Sequence, residues 1–361
     1  MVKTSLRELL TLPHEWSIAQ VQEALTAALD GSGPAIAFGP TRHSHVAADI
    51  AVVIPTSGST GEAKEVALSA QAILSSAHAA HNYLGAQSSE RWSLLLPINH
   101  IAGVNVLVRA LALDSEVIDL RKSTRYQDAH YTSVVPTQLF RALNGDSALL
   151  AHLQNARAVL VGGAATPVPL MAAAINNKIN IVTTYGMSEM SGGCVYNNEP
   201  LPGVEVKVSP EGVISLKGPM RASTYVGAEE LWQRATEGDW FVTSDVGDLR
   251  EGKLFIHGRI DDQIISGGEK ISLAHIETEL NKHFTTQSFM TFSLPSVEWG
   301  AILCVASEQE IDEAAVKDYL RSTHGAHAIP KEFFAPTALP VTALGKPDRH
   351  KLRATYEKAR A

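Results

Sequence analysis

Apolar positions along the first two hundred residues switch repeatedly between two periods. In residues 17–30 the stripe Ile18, Val21, Leu25 has helical spacing. Ser17 with Gln20 three residues on predicts a capping box at its start, and Gly31 supplies the stop. Short apolar and β-branched runs predict strands at 35–38, 50–54, 65–68, 92–96, 116–120, 131–135, 156–161 and 180–184. Amphipathic stretches at 70–84, 103–113, 136–144 and 167–177 predict helices between them. Such alternation argues an α/β fold in which helices cover mostly parallel sheets.

The pattern changes after residue 196. Runs at 204–208 and 213–217 flank Ser209-Pro210-Glu211-Gly212, a hairpin signal, and runs at 241–243 and 246–257 break at Glu251-Gly252. A small antiparallel β piece is therefore expected there. From about residue 262 the chain reads as a compact α+β unit: helix 272–283, strands 288–292 and 301–305, helix 311–322, strand 331–334 and a terminal helix near 349–358. The expected organisation is a large N-terminal domain over residues 1–260 and a small α+β C-terminal domain over 261–361.

Composition narrows the partners. Of 361 residues, 45% are hydrophobic and 19% charged, so material for a packed core is ample. Thirty Lys and Arg against 38 Asp and Glu leave a net charge of −8, so the overall field does not attract polyanions. Nucleic acid is not an expected partner, and any anionic ligand must be gripped by local groups. Two cysteines, Cys194 and Cys304, exclude a disulfide scaffold and a Cys-rich zinc module. No run approaches the roughly 18 apolar residues that would span a bilayer, so no membrane insertion and a cytoplasmic location are expected. Whether the chain forms a homodimer is left open.

Candidate chemistry starts where the 50–54 strand runs into Thr56-Ser57-Gly58-Ser59-Thr60-Gly61-Glu62-Ala63-Lys64. Glycine lets backbone N–H groups turn toward one concavity, hydroxyls add donors and Lys64 adds a point charge, which suits a polyphosphate. A polar loop between strands would have the same composition. The spacing is not that of a Walker loop, because Gly61 and Lys64 are not adjacent. The chain also lacks G-x-G-x-x-G, H-E-x-x-H, C-x-x-C and G-x-S-x-G, which argues against dinucleotide-binding, zinc-hydrolase and serine-hydrolase chemistry.

Four further strings stand in a fixed order. They are Tyr185-Gly186-Met187-Ser188-Glu189, Thr243-Ser244-Asp245 before Gly247-Asp248, the stretch from Gly258-Arg259-Ile260-Asp261-Asp262 to Gly267-Gly268-Glu269-Lys270, and Gly345-Lys346-Pro347-Asp348-Arg349. With the first loop they resemble the acyl-adenylating superfamily of acyl-CoA synthetases, peptide-synthetase adenylation domains and luciferases, over about residues 50–350. Within it, Asn99-His100-Ile101-Ala102-Gly103, Tyr131-Thr132-Ser133, Gln138-Leu139 and residues 184–196 are most similar to the o-succinylbenzoate–CoA ligases of menaquinone biosynthesis, in their short actinobacterial form. There are two departures. Ala63 stands where proline is usual, and only about 55 residues precede the first loop, so the usual first subdomain is shortened.

The resemblance implies ATP, Mg²⁺ and coenzyme A as co-substrates or cofactor, and a small carboxylate as substrate. It assigns Thr56, Ser57, Gly58, Ser59, Thr60, Gly61 and Lys64 to the β- and γ-phosphates, and Glu189 with Thr60 to the metal. Gly162, Gly163 and Ala164 would form an adenine shelf opposite Tyr185, beside Gly186, Met187 and Ser188, while Asp245 and Arg259 would bracket the ribose. His100 would lie beside the acyl carboxylate, with Ser191, Gly192 and Gly193 leaving room for an aromatic ring. Lys346 would bridge the carboxylate and the α-phosphate. Asp261 would be the hinge of a mobile C-terminal unit, and Gly267 and Gly268 would admit the pantetheine arm. A catalytic cysteine is not expected, since Cys194 has no neighbouring histidine. Other readings stay open: a different aryl or acyl acid, a phosphotransferase using the same loop, or a nucleotide-binding remnant without turnover.

Overall fold

The computed structural model describes residues 5–56, 64–341 and 347–360, and of Asp261 only the backbone. Expected loop residues Ser57, Gly58, Ser59, Thr60 and Gly61, and the lysine Lys346, lie outside the described residues.

The Ile18–Asp30 helix forms as its sequence dictates. Ser17 accepts from Gln20 N while the Gln20 side chain accepts from Ser17 N, and Gly31 takes the left-handed conformation that ends it. Ahead of it, Leu6–Thr11 is a strand with no periodic signal of its own. It pairs parallel with Ala35–Ala37 and antiparallel with His45–Ala47, and the Arg7 guanidinium fixes it by donating to the Gly33 and Ile50 carbonyls.

The first sheet has six strands, in the order Thr224–Tyr225, Lys64–Ser69, Ile50–Thr56, Ala35–Ala37, Leu6–Thr11 and His45–Ala47. It is mixed, not mostly parallel: Ile50–Thr56 and Lys64–Ser69 run antiparallel with Thr56 opposite Lys64. Apolar periodicity cannot report strand direction, and the two strands that flank the glycine-rich segment pair antiparallel with each other. The second sheet has seven strands and meets the expectation better. Ile181–Met187, Ala158–Val161, Tyr131–Val134, Trp92–Leu94 and Ile118–Asp119 are parallel neighbours, and Gly192–Tyr196 and Glu199–Pro200 add antiparallel at one edge. Helices Ala70–Leu84 and Ile101–Leu111 bury apolar faces in the large core that joins both sheets.

The expected antiparallel piece is a third sheet. Glu205–Val208 pairs with Val213–Lys217, and Trp240–Arg250 with Lys253–Arg259 across the Glu251-Gly252 turn. Beyond it Gln263–Ser266, Glu269–Ser272, Phe289–Ser296, Gly300–Ser307 and Glu332–Phe334 form a fourth sheet, faced by helices Leu273–His283, Glu313–His324 and Arg349–Arg360. Its two apolar clusters contain no residue before Ile264, and the clusters of the first three sheets contain none after Leu254. Among the described residues no helix is long and apolar enough to cross a membrane.

Candidate active site

The site is organised around one stretch, the strand Ile181–Met187, the 3₁₀ turn Ser188–Met190 and the returning strand Gly192–Tyr196. The reversal is tight. A methyl group on Gly186 would stand 1.9 Å from the Gly192 carbonyl oxygen, and one on Gly192, whose φ is +96°, would stand 2.1 Å from Asn105 Nδ2. Only glycine fits at either position. The compression displays the Tyr185 and Glu189 side chains to two separate clusters.

At Glu189, Oε1 accepts a 2.7 Å hydrogen bond from the Tyr225 hydroxyl. Tyr225 belongs to the two-residue edge strand that pairs with Lys64–Ser69, and the Lys64 ammonium lies over its ring at 5.1 Å. A buried phenol thus sits between the carboxylate and the cation. Burial first, then the Glu189 charge, pushes the Tyr225 pKa up, so the hydroxyl stays a donor. Nothing in the sequence singled out Tyr225, because its role comes from an edge pairing across a long sequence separation. Thr56 lies directly opposite Lys64, its hydroxyl 3.3 Å from the Lys64 carbonyl.

At Tyr185, the hydroxyl donates to Asp245 Oδ2 at 2.7 Å, and the Arg259 guanidinium reaches Asp245 Oδ1 at 3.4 Å. Asp245 and Arg259 are register partners in the Trp240–Arg250 hairpin, and Thr243 Oγ1 accepts from Asp245 N at 2.9 Å. Burial and Asp245 push the Tyr185 pKa up as well. Gly162 abuts Thr184, where a methyl group would stand 2.1 Å from Oγ1, so Gly162, Gly163 and Ala164 adjoin the strand that carries Tyr185. Met187 packs on the main core, and Ser188 is buried.

On the far side, His100 is the N-cap of Ile101–Leu111. Asn105 of that helix donates to the Ser191 carbonyl at 2.8 Å, and Ser76 donates to the same oxygen at 3.0 Å. Ser191 is fully buried and its hydroxyl donates to the Met220 carbonyl at 2.7 Å. That hydroxyl therefore serves the packing, where the sequence suggested an open substrate pocket. Gly193 is partly exposed and faces Thr184 and Tyr196. Burial pushes the Cys194 thiol up to about 12, which leaves it unreactive.

Asp261 is the middle residue of the 3₁₀ turn Ile260–Asp262, between the third and fourth sheets. Gly267 and Gly268 form the turn between Gln263–Ser266 and Glu269–Ser272 of the fourth sheet, where Gly267 N donates to the Trp299 carbonyl at 3.0 Å.

Magnesium suits this donor set. Glu189 offers hard oxygen, and Mg²⁺ is usually held by one or two carboxylates together with substrate phosphates. Among the described residues no group of three or more His, Cys, Asp or Glu would hold a metal by itself, so an ion at Glu189 would share its coordination with the triphosphate.

A carboxylate with a nearby cation at Glu189, and an Asp–Arg pair at Tyr185, stand around the end of one parallel-sheet strand, where open α/β sheets place their ligands. The chain belongs to the AMP-binding enzyme family, whose model matches residues 6–218. It is 34% identical to the probable 2-succinylbenzoate–CoA ligase of Mycobacterium tuberculosis (strain H37Rv), over 94% of this chain and 96% of that protein. Identity to the 2-succinylbenzoate–CoA ligase of Listeria monocytogenes serotype 4b is 29%, over 85% of this chain and 70% of that one. The fold is similar to that of E. coli MenE bound to an analogue of OSB-AMS, with TM-score 0.71, 22% identity, and 96% and 82% of the two chains covered. It is also similar to the amide bond synthetase McbA from Marinactinospora thermotolerans, with TM-score 0.76, 22% identity, and 97% and 80% covered.

Proposed function

We infer that the chain is an ATP-dependent acid–thiol ligase that converts 2-succinylbenzoate into its CoA thioester through an acyl-adenylate, a step of menaquinone biosynthesis. The observation that carries this reading is that Lys64 and Tyr225 gather at Glu189 while Asp245 and Arg259 gather at Tyr185, four residues earlier on the same stretch. It stands in a chain that aligns almost end to end with a relative named for that reaction.

In the first half-reaction a carboxylate oxygen attacks the α-phosphorus of ATP and pyrophosphate leaves. In the second, the CoA thiolate attacks the acyl carbonyl and AMP leaves. A negative nucleophile must approach a negative phosphate, so the site has to supply positive charge and donors. Lys64, with Thr56 and the Ser57–Gly61 donors, holds the outer phosphates. Glu189, its direction fixed by the Tyr225 hydroxyl, would with Thr60 hold a magnesium ion, which would supply neutralisation of the phosphate charge. Asp245 and Arg259 hold the ribose; Tyr185 and the 162–164 shelf enclose adenine. His100 orients the acid, and Gly192 and Gly193 leave space for its ring. Lys346 bridges the reacting carboxylate and the α-phosphate. Between the halves, the unit beyond Asp261 turns, Lys346 withdraws, and Gly267 and Gly268 admit the thiol arm. Dependence on ATP and CoA puts the enzyme in the cytoplasm.

A panel of aryl and acyl carboxylates scored for AMP release, with and without CoA and with hydroxylamine as a trap, tests the reading. 2-Succinylbenzoate should give the highest kcat/KM and a hydroxamate. A different preferred acid overturns the substrate assignment, and no AMP or hydroxamate from any acid would leave only a nucleotide-binding remnant.

A further inference from the structure

The last sequence motif ends in an arginine that the two half-reactions leave without a task. Arg349 is the first residue of Arg349–Arg360, and its side chain is only 15% exposed. Its guanidinium donates to Glu277 Oε2 at 2.8 Å and lies 3.7 Å from Asp262 Oδ2. Glu277 comes from the Leu273–His283 helix, and its carboxylate is also held by Thr291 N at 3.0 Å. Asp262 ends the 3₁₀ turn that contains Asp261. Immediately before Arg349, the bridge between Val341 and Pro347, together with the hydrogen bond from Asp348 N to the Pro340 carbonyl, ties the two ends of segment 342–346.

A buried ion pair is weak ground for stability, because an apolar replacement often serves as well. What a planar guanidinium adds is direction: its rigid fork points one edge at Glu277 through a hydrogen bond and the other toward Asp262 as an ion pair, which an ammonium does not do. We propose that Arg349 is a positioning residue for adenylation. It joins the pivot turn, the Leu273–His283 helix and the base of the lysine segment, so that Lys346 enters the site in one orientation. This rests on the ligase reading above.

Displacing a catalytic group by about 1 Å costs on the order of 10²-fold. Arg349→Lys, which keeps charge but loses the fork, and Glu277→Gln, which keeps shape, are compared with Lys346→Ala in each half-reaction. Adenylation is read as pyrophosphate release, and thioester formation is started from preformed 2-succinylbenzoyl-AMP. Arg349→Lys should lower kcat for adenylation by roughly 10–100-fold, with KM for ATP unchanged within about threefold and thioester formation within about twofold. Glu277→Gln should show the same bias more weakly, and the thermal midpoints of both variants report their folding. Equal losses in both halves, or an unchanged adenylation kcat in both variants while Lys346→Ala abolishes adenylation, would overturn the proposal. Adenylation that survives Lys346→Ala would instead overturn the ligase mechanism on which it rests.

Discussion

Tyr225→Phe isolates one atom of the phosphate end of the site. The ring is 1% exposed, meets Trp232 edge-on at 5.2 Å and carries the Lys64 ammonium at 5.1 Å, and phenylalanine keeps all of that. Only the 2.7 Å donor to Glu189 is lost. Hydrogen bonds to charged groups contribute about 1.5–3 kcal/mol. Because Glu189 is half-buried, water replaces part of the loss, and the lower figure of about 1.5 kcal/mol applies, equivalent to roughly tenfold in affinity. If Tyr225 aims Glu189 at magnesium, pyrophosphate exchange should need about tenfold more Mg²⁺ at half-maximal rate. The kcat at saturation should change little. Tyr225→Leu also removes the cation–π contact, worth about 0.5–2 kcal/mol, and should raise KM for ATP further. An unchanged magnesium dependence in a well-folded Tyr225→Phe enzyme would refute the reasoning.

Three other outcomes follow from single contacts. Asp245→Asn leaves one acceptor oxygen for the two partners Tyr185 and Arg259, so KM for ATP should rise about 10–100-fold in pyrophosphate exchange, and an unchanged KM would reject the ribose role. Gly186→Ala forces the 181–187 and 192–196 strands apart and should cost at least about 1–3 kcal/mol in urea unfolding, with adenylation lost; wild-type stability would contradict the packing. Burial, aided by the Arg109 charge, pulls the His81 imidazole from 6.5 down to about 4. As pH falls from 6.5 toward 4 the unfolded chain takes a proton that the folded chain refuses, so up to about 3 kcal/mol of stability is lost across that window and none above it. His81→Leu should flatten the slope of urea midpoint against pH between 7 and 4.5, and an unaltered slope would exclude His81 as its source.

Local rules carried much of this structure. Ser17, Gln20 and Gly31 bound a helix through contacts within a single turn at each end, so nearby residues settle it. The motif residues Lys64, Glu189, Asp245 and Arg259 were legible because the strings that carry them stand in the order of the acyl-adenylating superfamily; taken singly, each would pass for a turn or surface residue. What escaped is non-local. Leu6–Thr11 is a strand only because Ala35–Ala37 and His45–Ala47 border it, and Ser147–Asn155 is a helix whose apolar residues carry little periodic signal. Tyr225 gains its role from a two-residue edge pairing, and Ser191 turns inward because Met220 and Asn105 complete its hydrogen bonds. A small polar residue looks the same beside a pocket and inside a tight turn until its partners are placed.

The central claim, that one triphosphate is cleaved between its α- and β-phosphates while a carboxylate is activated, is tested most directly by product analysis. With ATP labelled separately at the α and γ positions, 2-succinylbenzoate and CoA, the label at α should appear in AMP and the label at γ in pyrophosphate, in equal amounts with the thioester. Label from the α position found in ADP, with the γ label in orthophosphate or a phosphorylated acid, would contradict it.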